Sequence, residues 1–314
     1  MEKGRGLLIW LLCLGVLLLF FMGGQLNPVA YLVAGVVLPL PVLLAGWRLG
    51  ARGALLLALA AALCVFSLKP GLAVILENLG AGQLLLMGVL LSVLHDRGMP
   101  PQRAIILTVA FLTLTLLLFL AGQALFSGMS PQAFLAQKSG EIMGTLSKVM
   151  GGGEGGSSGL LLPDLDQAEV ETLVRRLLPG LIVANTGLVA WINVILARQL
   201  AFRLGWGEPK PPLFYWSTPE WLIFVVLGAG FLLLVPLTGV RFFSFNLLIV
   251  LGLLYFCQGV AVVAAWFHRW GLPRFLRLAG YALMFLNPLF FLIVTLGLMD
   301  LWLDFRRLHQ PKDA

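Results

Sequence analysis

The chain has 314 residues, 60% of them hydrophobic and only 11% charged, with a formal net charge of +7. A water-soluble domain needs roughly 25% charged residues to clothe its surface, so these proportions exclude an ordinary soluble enzyme or a disulfide-stapled secreted domain. The basic residues sit in short connectors between apolar runs, which is a signature of orientation in a membrane and not of a nucleic-acid surface.

A bilayer core of about 30 Å takes about 20 apolar residues as a helix, and it tolerates no open backbone. Nine runs qualify: 6–23, 29–46, 53–68, 71–94, 104–126, 179–198, 220–238, 245–267 and 280–302. They predict an all-α fold, a polytopic transmembrane helical bundle of eight or nine spans. The third run is the shortest, because Arg52 and Lys69 confine it. The first follows Lys3 and Arg5 as a signal peptide would, yet Phe20-Phe21-Met22-Gly23-Gly24-Gln25 offers no small-x-small cleavage pattern. It is read as an uncleaved helix.

The organisation that follows is five helices over 1–126, a polar insert over 127–178, four helices over 179–304 and a tail over 305–314. In the insert, Ser130-Pro131 opens one helical pattern, and Asp164 with Gln167 resembles a capping box for another. The glycine-rich stretch 151–159 between them reads as a linker, since it lacks the Gly-Lys-Ser/Thr ending of a phosphate loop.

With the N-terminus inside, the connectors holding Arg48, Arg52, Arg97, Arg103, Arg198, Arg203, Lys210, Arg269, Arg274 and Arg277 all fall on the inner face. Nine spans then place the basic tail, with Arg306, Arg307 and Lys312, outside. That conflicts with the positive-inside rule, so one of the nine runs is suspect.

Polar side chains within spans are functional candidates because hydrocarbon penalises them. Glu77 and Asn78, with Gln83 following, lie in the fourth run, and Asn27 and Asn185 could join them around a small-solute cavity. Interhelical hydrogen bonding is the competing reading for each, as it is for Gln123 and Asn193. Ala54, Ala58 and Ala62 form a small-residue stripe suited to close helix packing. Trp191, Trp206, Trp216, Trp221, Trp266 and Trp270 are read as interfacial anchors.

No metal or cofactor is expected. Cys13, Cys64 and Cys257 lie singly in apolar runs, and His95, His268 and His309 lie apart. There is no Gly-x-Ser-x-Gly elbow and no His-Glu-x-x-His. Asp300 and Asp304, one helical turn apart and followed by Arg306 and Arg307, read as a salt-bridged helix end and not as an aspartyl site. The expectation is a protein without enzymatic activity.

Four stretches in order carry a family resemblance: Leu38-Pro39-Leu40-Pro41 with Arg48-Leu49-Gly50, Pro219-Glu220-Trp221-Leu222, Tyr255 to Val262, and Gly297 to Arg306. Together they resemble the YybS-like (DUF2232) family of bacterial polytopic membrane proteins. The N-terminal half is similar to the substrate-binding S component of energy-coupling-factor transporters. That resemblance implies a six-helix bundle, a small-solute ligand and a membrane-protein partner, in a bacterial inner membrane. The first run lacks the Ala-x-x-x-Ala face such components present to their partner and offers only Gly15. The alternative is a non-catalytic membrane scaffold or assembly partner in the cell envelope.

Overall fold

The computed structural model describes residues 2–24, 34–68, 79–128, 137, 140, 167–206, 216–286 and 288–306. Among these, secondary structure is helical: α1 (Glu2–Gly24), α2 (Pro39–Leu68), α3 (Leu79–Asp96), α4 (Pro101–Ser127), α5 (Gln167–Arg203), α6 (Leu222–Leu232), α7 (Thr238–Arg269), α8 (Arg274–Leu283) and α9 (Leu289–Leu303). Large apolar side chains cover the outside, including Leu19, Leu118 and Phe224, whereas Asn193, Gln258, Asp300 and Arg306 are buried. This is the reverse of a water-soluble protein. Only hydrocarbon makes such an exterior stable. Pro101–Leu125, Arg176–Arg203 and Thr238–Arg269 are each long and apolar enough to cross a membrane, and the 34-residue apolar stretch Ala34–Ser67 is a reversing pair of helices.

The chain divides into two compact units, one of Met1–Arg175 with Asn185–Glu208 and one of Arg176–Ala184 with Pro209–Ala314. In the first, α2 is two helices and not one, broken at Gly50, whose φ of 80° and ψ of 170° suit only glycine. A Cβ placed on Gly46 would lie 3.1 Å from that of Ala54. Residues eight apart on a straight helix are about 12 Å apart, so the chain doubles back at Gly50. The sequence expectation of separate second and third runs is met, with a turn of almost no length.

Contacts between the legs fix their directions. The 39–49 leg runs alongside α3: Gly88 faces Val42, Gly46 faces Ser92, and the Trp47 and His95 rings stack 4.6 Å apart. The 51–68 leg starts beside α1, where Trp10 Nε1 donates to the Gly53 carbonyl at 3.3 Å. Leu17, Val42, Ala45, Ala54, Leu57, Ala61 and Val89 form the core between them, with Ala58 packed against it. Two of the three stripe alanines thus serve packing within the chain, while Ala62 is exposed.

Basic residues gather where these helices turn. The Asp96 carboxylate accepts from the Ala51 amide at 2.6 Å, so the end of α3 caps the start of the second leg of α2. Arg48 lies over the Trp206 ring at 5.9 Å, bringing the end of α5 to the same place. Arg48, Arg52, Arg97, Arg103 and Arg203 are all exposed, and each lies at or beside a chain turn at this end of the first unit.

In the second unit, α7 is the long central helix and α6 packs against it. The 280–302 run, expected as one span kinked at Asn287-Pro288, holds the end of α8 and nearly all of α9, parted by turns and bends at 284–286 and by Pro288. Proline supplies no amide to continue α8 and is tolerated where α9 begins. In α5 the equivalent problem is Pro179, and the solution is Asn246 of α7. Its Oδ1 accepts from the Gly180 amide at 2.5 Å and its Nδ2 donates to the Arg176 carbonyl at 2.9 Å. Those two backbone groups are the pair that bond to each other in an uninterrupted helix.

Candidate functional site

The described residues hold one dense buried polar cluster, in the second unit: Thr218, Gln258, Asp300 and Arg306. Its position follows from two glycines. A Cβ on Gly259 of α7 would collide with the Ile293 carbonyl of α9, and one on Gly297 of α9 would collide with the Tyr255 carbonyl of α7. The two backbones therefore touch, and Gln258 and Asp300 beside the crossing come within 3.2 Å, Nε2 donating to Oδ2. Gln258 Oε1 accepts from the Thr218 amide at 3.1 Å and from the Thr218 hydroxyl, which ties the entry of α6 to α7.

Arg306 reaches the cluster from beyond α9. Asp304 takes a left-handed conformation, φ 40°, and reverses the chain at the helix end. The guanidinium then returns over Asp300, with Nη2 2.6 Å and Nε 2.9 Å from Oδ2, while Nη1 donates to the Trp216 carbonyl. The side chains of Arg306 and Asp300 are 3% and 2% exposed. A lone charge at that burial is costly, so the two neutralise each other. Asp300 Oδ1 is buried and has no hydrogen-bond partner among the described residues.

Chemically the cluster is an internal lock with one unused acceptor. It contains no nucleophile beside a base. No group of three or more His, Cys, Asp or Glu that could hold a metal ion occurs among the described residues.

Of the five residues predicted around a solute cavity, Gln83 and Asn185 are among the described residues. Asn27, Glu77 and Asn78 lie outside the described residues, as does most of the 127–178 insert, including Ser130, Pro131 and Asp164. Gln83 is half-buried on α3 and Asn185 is exposed on α5. Asn193 is fully buried and follows the competing reading: its Nδ2 donates to the Val36 carbonyl and to the Val189 carbonyl of its own helix, both at 2.7 Å. Trp191 departs from its expected anchor role, being buried at 6% exposure, whereas Trp221 and Trp270 are exposed.

Sequence reasoning expected a salt-bridged helix end among Asp300, Asp304, Arg306 and Arg307 without singling out the Asp300 to Arg306 pair, and it did not place Thr218, Gln258 or Asn246 at any site. A usable signal existed. Gln258 is the one strongly polar side chain in the apolar stretch from Leu251 to Ala265. Three of the four stretches that carry the family resemblance also meet here, since Thr218 directly precedes Pro219-Glu220-Trp221-Leu222.

No curated protein and no solved structure matches the chain. A family model described as a predicted membrane protein (DUF2232) matches residues 15–301, a span that takes in both units and the Gln258 to Asp300 crossing. The chain belongs to the DUF2232 family of predicted membrane proteins.

Proposed function

We propose that the protein is a multi-pass protein of a bacterial inner membrane that works by binding and not by catalysis, its first unit capturing a small solute. The observation that carries this reading is the make-up of that unit. α1, the two legs of α2, α3, α4 and the 185–203 part of α5 give six helical segments, the number a solute-binding S component would use. Asn27, Glu77, Asn78, Gln83 and Asn185 are the proposed solute ligands, and the arginine-rich end is the cytoplasmic one.

Thermal-shift measurement of the purified protein across a vitamin and metabolite panel tests this. A ligand at 100 times its dissociation constant adds about 2.7 kcal/mol to stability. A shift with one ligand class, abolished by Glu77→Gln, is expected. No shift with any ligand, and an unaltered profile for Glu77→Gln, contradicts it.

A second reading, a non-catalytic scaffold for other envelope proteins, is favoured by a different observation. Asn193, Asn246, Gln258 and Thr218 each bond to backbone or to another helix. Co-purification after gentle solubilisation distinguishes it: a stable stoichiometric partner supports the scaffold, and a lone monodisperse monomer contradicts it.

A further inference from the structure

We infer that residues 270–306 form a helical hairpin that begins and ends on one face of the membrane without crossing it, so that the basic C-terminal tail lies on the same side as the C-terminal end of α7. The argument starts from the two ends of this segment. Arg269, the last residue of α7, donates to the Phe305 carbonyl at 3.1 Å and to the Arg306 carbonyl at 2.9 Å, and the Trp266 and Phe305 rings meet at 5.9 Å. The chain therefore returns to the level it left.

Helix lengths agree. α8 has 10 residues and α9 has 15, about 15 Å and 22 Å at the helical rise, against a hydrocarbon core of about 30 Å. Between them the turn comes back beside α7. Phe267 meets Tyr281 at 5.5 Å, then Phe256 meets Phe285 at 5.2 Å and Phe290 at 4.7 Å. α8 thus ends beside Phe267, the turn after it reaches Phe256, and α9 runs parallel to α7 to rejoin Arg269. Backbone at depth must be satisfied, and the turn does this locally: the Phe285 amide donates to the Ala282 carbonyl, the Leu286 amide to the Leu283 carbonyl and the Phe290 amide to the Leu286 carbonyl.

Charge then decides the side. Arg241 near the start of α7 lies 28 residues from Arg269, about 42 Å along the helix, and so on the opposite face. Arg269, Arg274, Arg277 and Arg306 share the other end, and the sequence adds Arg307 and Lys312 in the tail. By the positive-inside rule that end is cytoplasmic. The ninth run is then not a crossing, and the tail falls on the side of Arg269, Arg274 and Arg277, so the conflict over it disappears.

The test uses two independent readings of sidedness. Green fluorescent protein and alkaline phosphatase fused after Leu272 and after Ala314 are expected to report the same, cytoplasmic side, and fusions after Gly239 the opposite one. In the full-length chain with Cys13, Cys64 and Cys257 replaced by alanine, R274C and K312C are expected to react with a membrane-impermeant maleimide only in inside-out vesicles. R241C reacts only in right-side-out vesicles. Labelling of R274C and K312C from opposite sides, or fusions at 272 and 314 reporting opposite sides, overturns the inference.

Discussion

Arg306 folds back over Asp300 so that two of its nitrogens lie within 2.9 Å of one carboxylate oxygen, in a position where neither side chain is more than 3% exposed. The pair joins the end of α9 to its own body, and through Gln258 and Trp216 to α7 and to the approach to α6. A buried pair of this kind is more a fastening than a net source of stability, because each charge had to be stripped of water.

Removing one partner is therefore predicted to be worse than removing both. Asp300→Ala or Arg306→Met alone is expected to lower unfolding stability by about 3 to 5 kcal/mol, since each leaves an uncompensated buried charge. The double substitution is expected to cost less than the sum of the two. Denaturant titration in mixed detergent micelles reads the cycle, and strict additivity would contradict a direct pair.

The crossing of α7 and α9 tolerates no added atoms. Gly259→Ala and Gly297→Ala each drive a methyl group into opposing backbone and are expected to destabilise by at least about 1 to 3 kcal/mol, the usual range for overpacking. Gly252→Ala on the same helix, where a Cβ meets nothing within 4 Å, is the control and is expected to be neutral or slightly stabilising. Thermal inactivation of the three variants side by side checks the ranking.

Asn246 is predicted to matter because of Pro179. Asn246→Ala leaves the Gly180 amide and the Arg176 carbonyl without their side-chain partner, at about 0.5 to 1.5 kcal/mol, the net worth of an ordinary hydrogen bond, since the first is part-buried and the second exposed. In a Pro179→Ala background the helix can close on itself, and the same substitution is expected to cost measurably less. Equal costs in both backgrounds would sever the link between the two residues.

Gly50→Ala forces a side chain into a backbone region that only glycine occupies freely, and a loss of about 1 to 3 kcal/mol is expected. Asp96→Ala removes the cap from the adjoining helix. Asp96 is exposed, so its loss is expected to be within about 1 kcal/mol. Comparing the two thermal midpoints separates the strained turn from its cap.

Hydrophobic run length made the helical membrane class legible, and charge in the connectors located the turns. The Arg48 to Arg52 interruption marked a break inside what is otherwise one apolar stretch from Ala34 to Ser67, and Gly50 is where the chain reverses. The last run is ambiguous in sequence because an apolar helix facing lipid or α7 has the same hydropathy whether or not it crosses. The observation behind the proposed hairpin is the Arg269 bond to carbonyls 36 and 37 residues away, which no window of sequence contains. Gln258 escaped notice for a related reason. One amide in a long apolar helix is equally compatible with any partner until Thr218 and Asp300 are beside it.

The account rests most heavily on the apolar exterior being covered by lipid acyl chains. Alkaline carbonate extraction of membranes carrying the protein measures this directly. Retention of the whole chain in the membrane pellet is the predicted result, and its release as a soluble monomer would contradict the account.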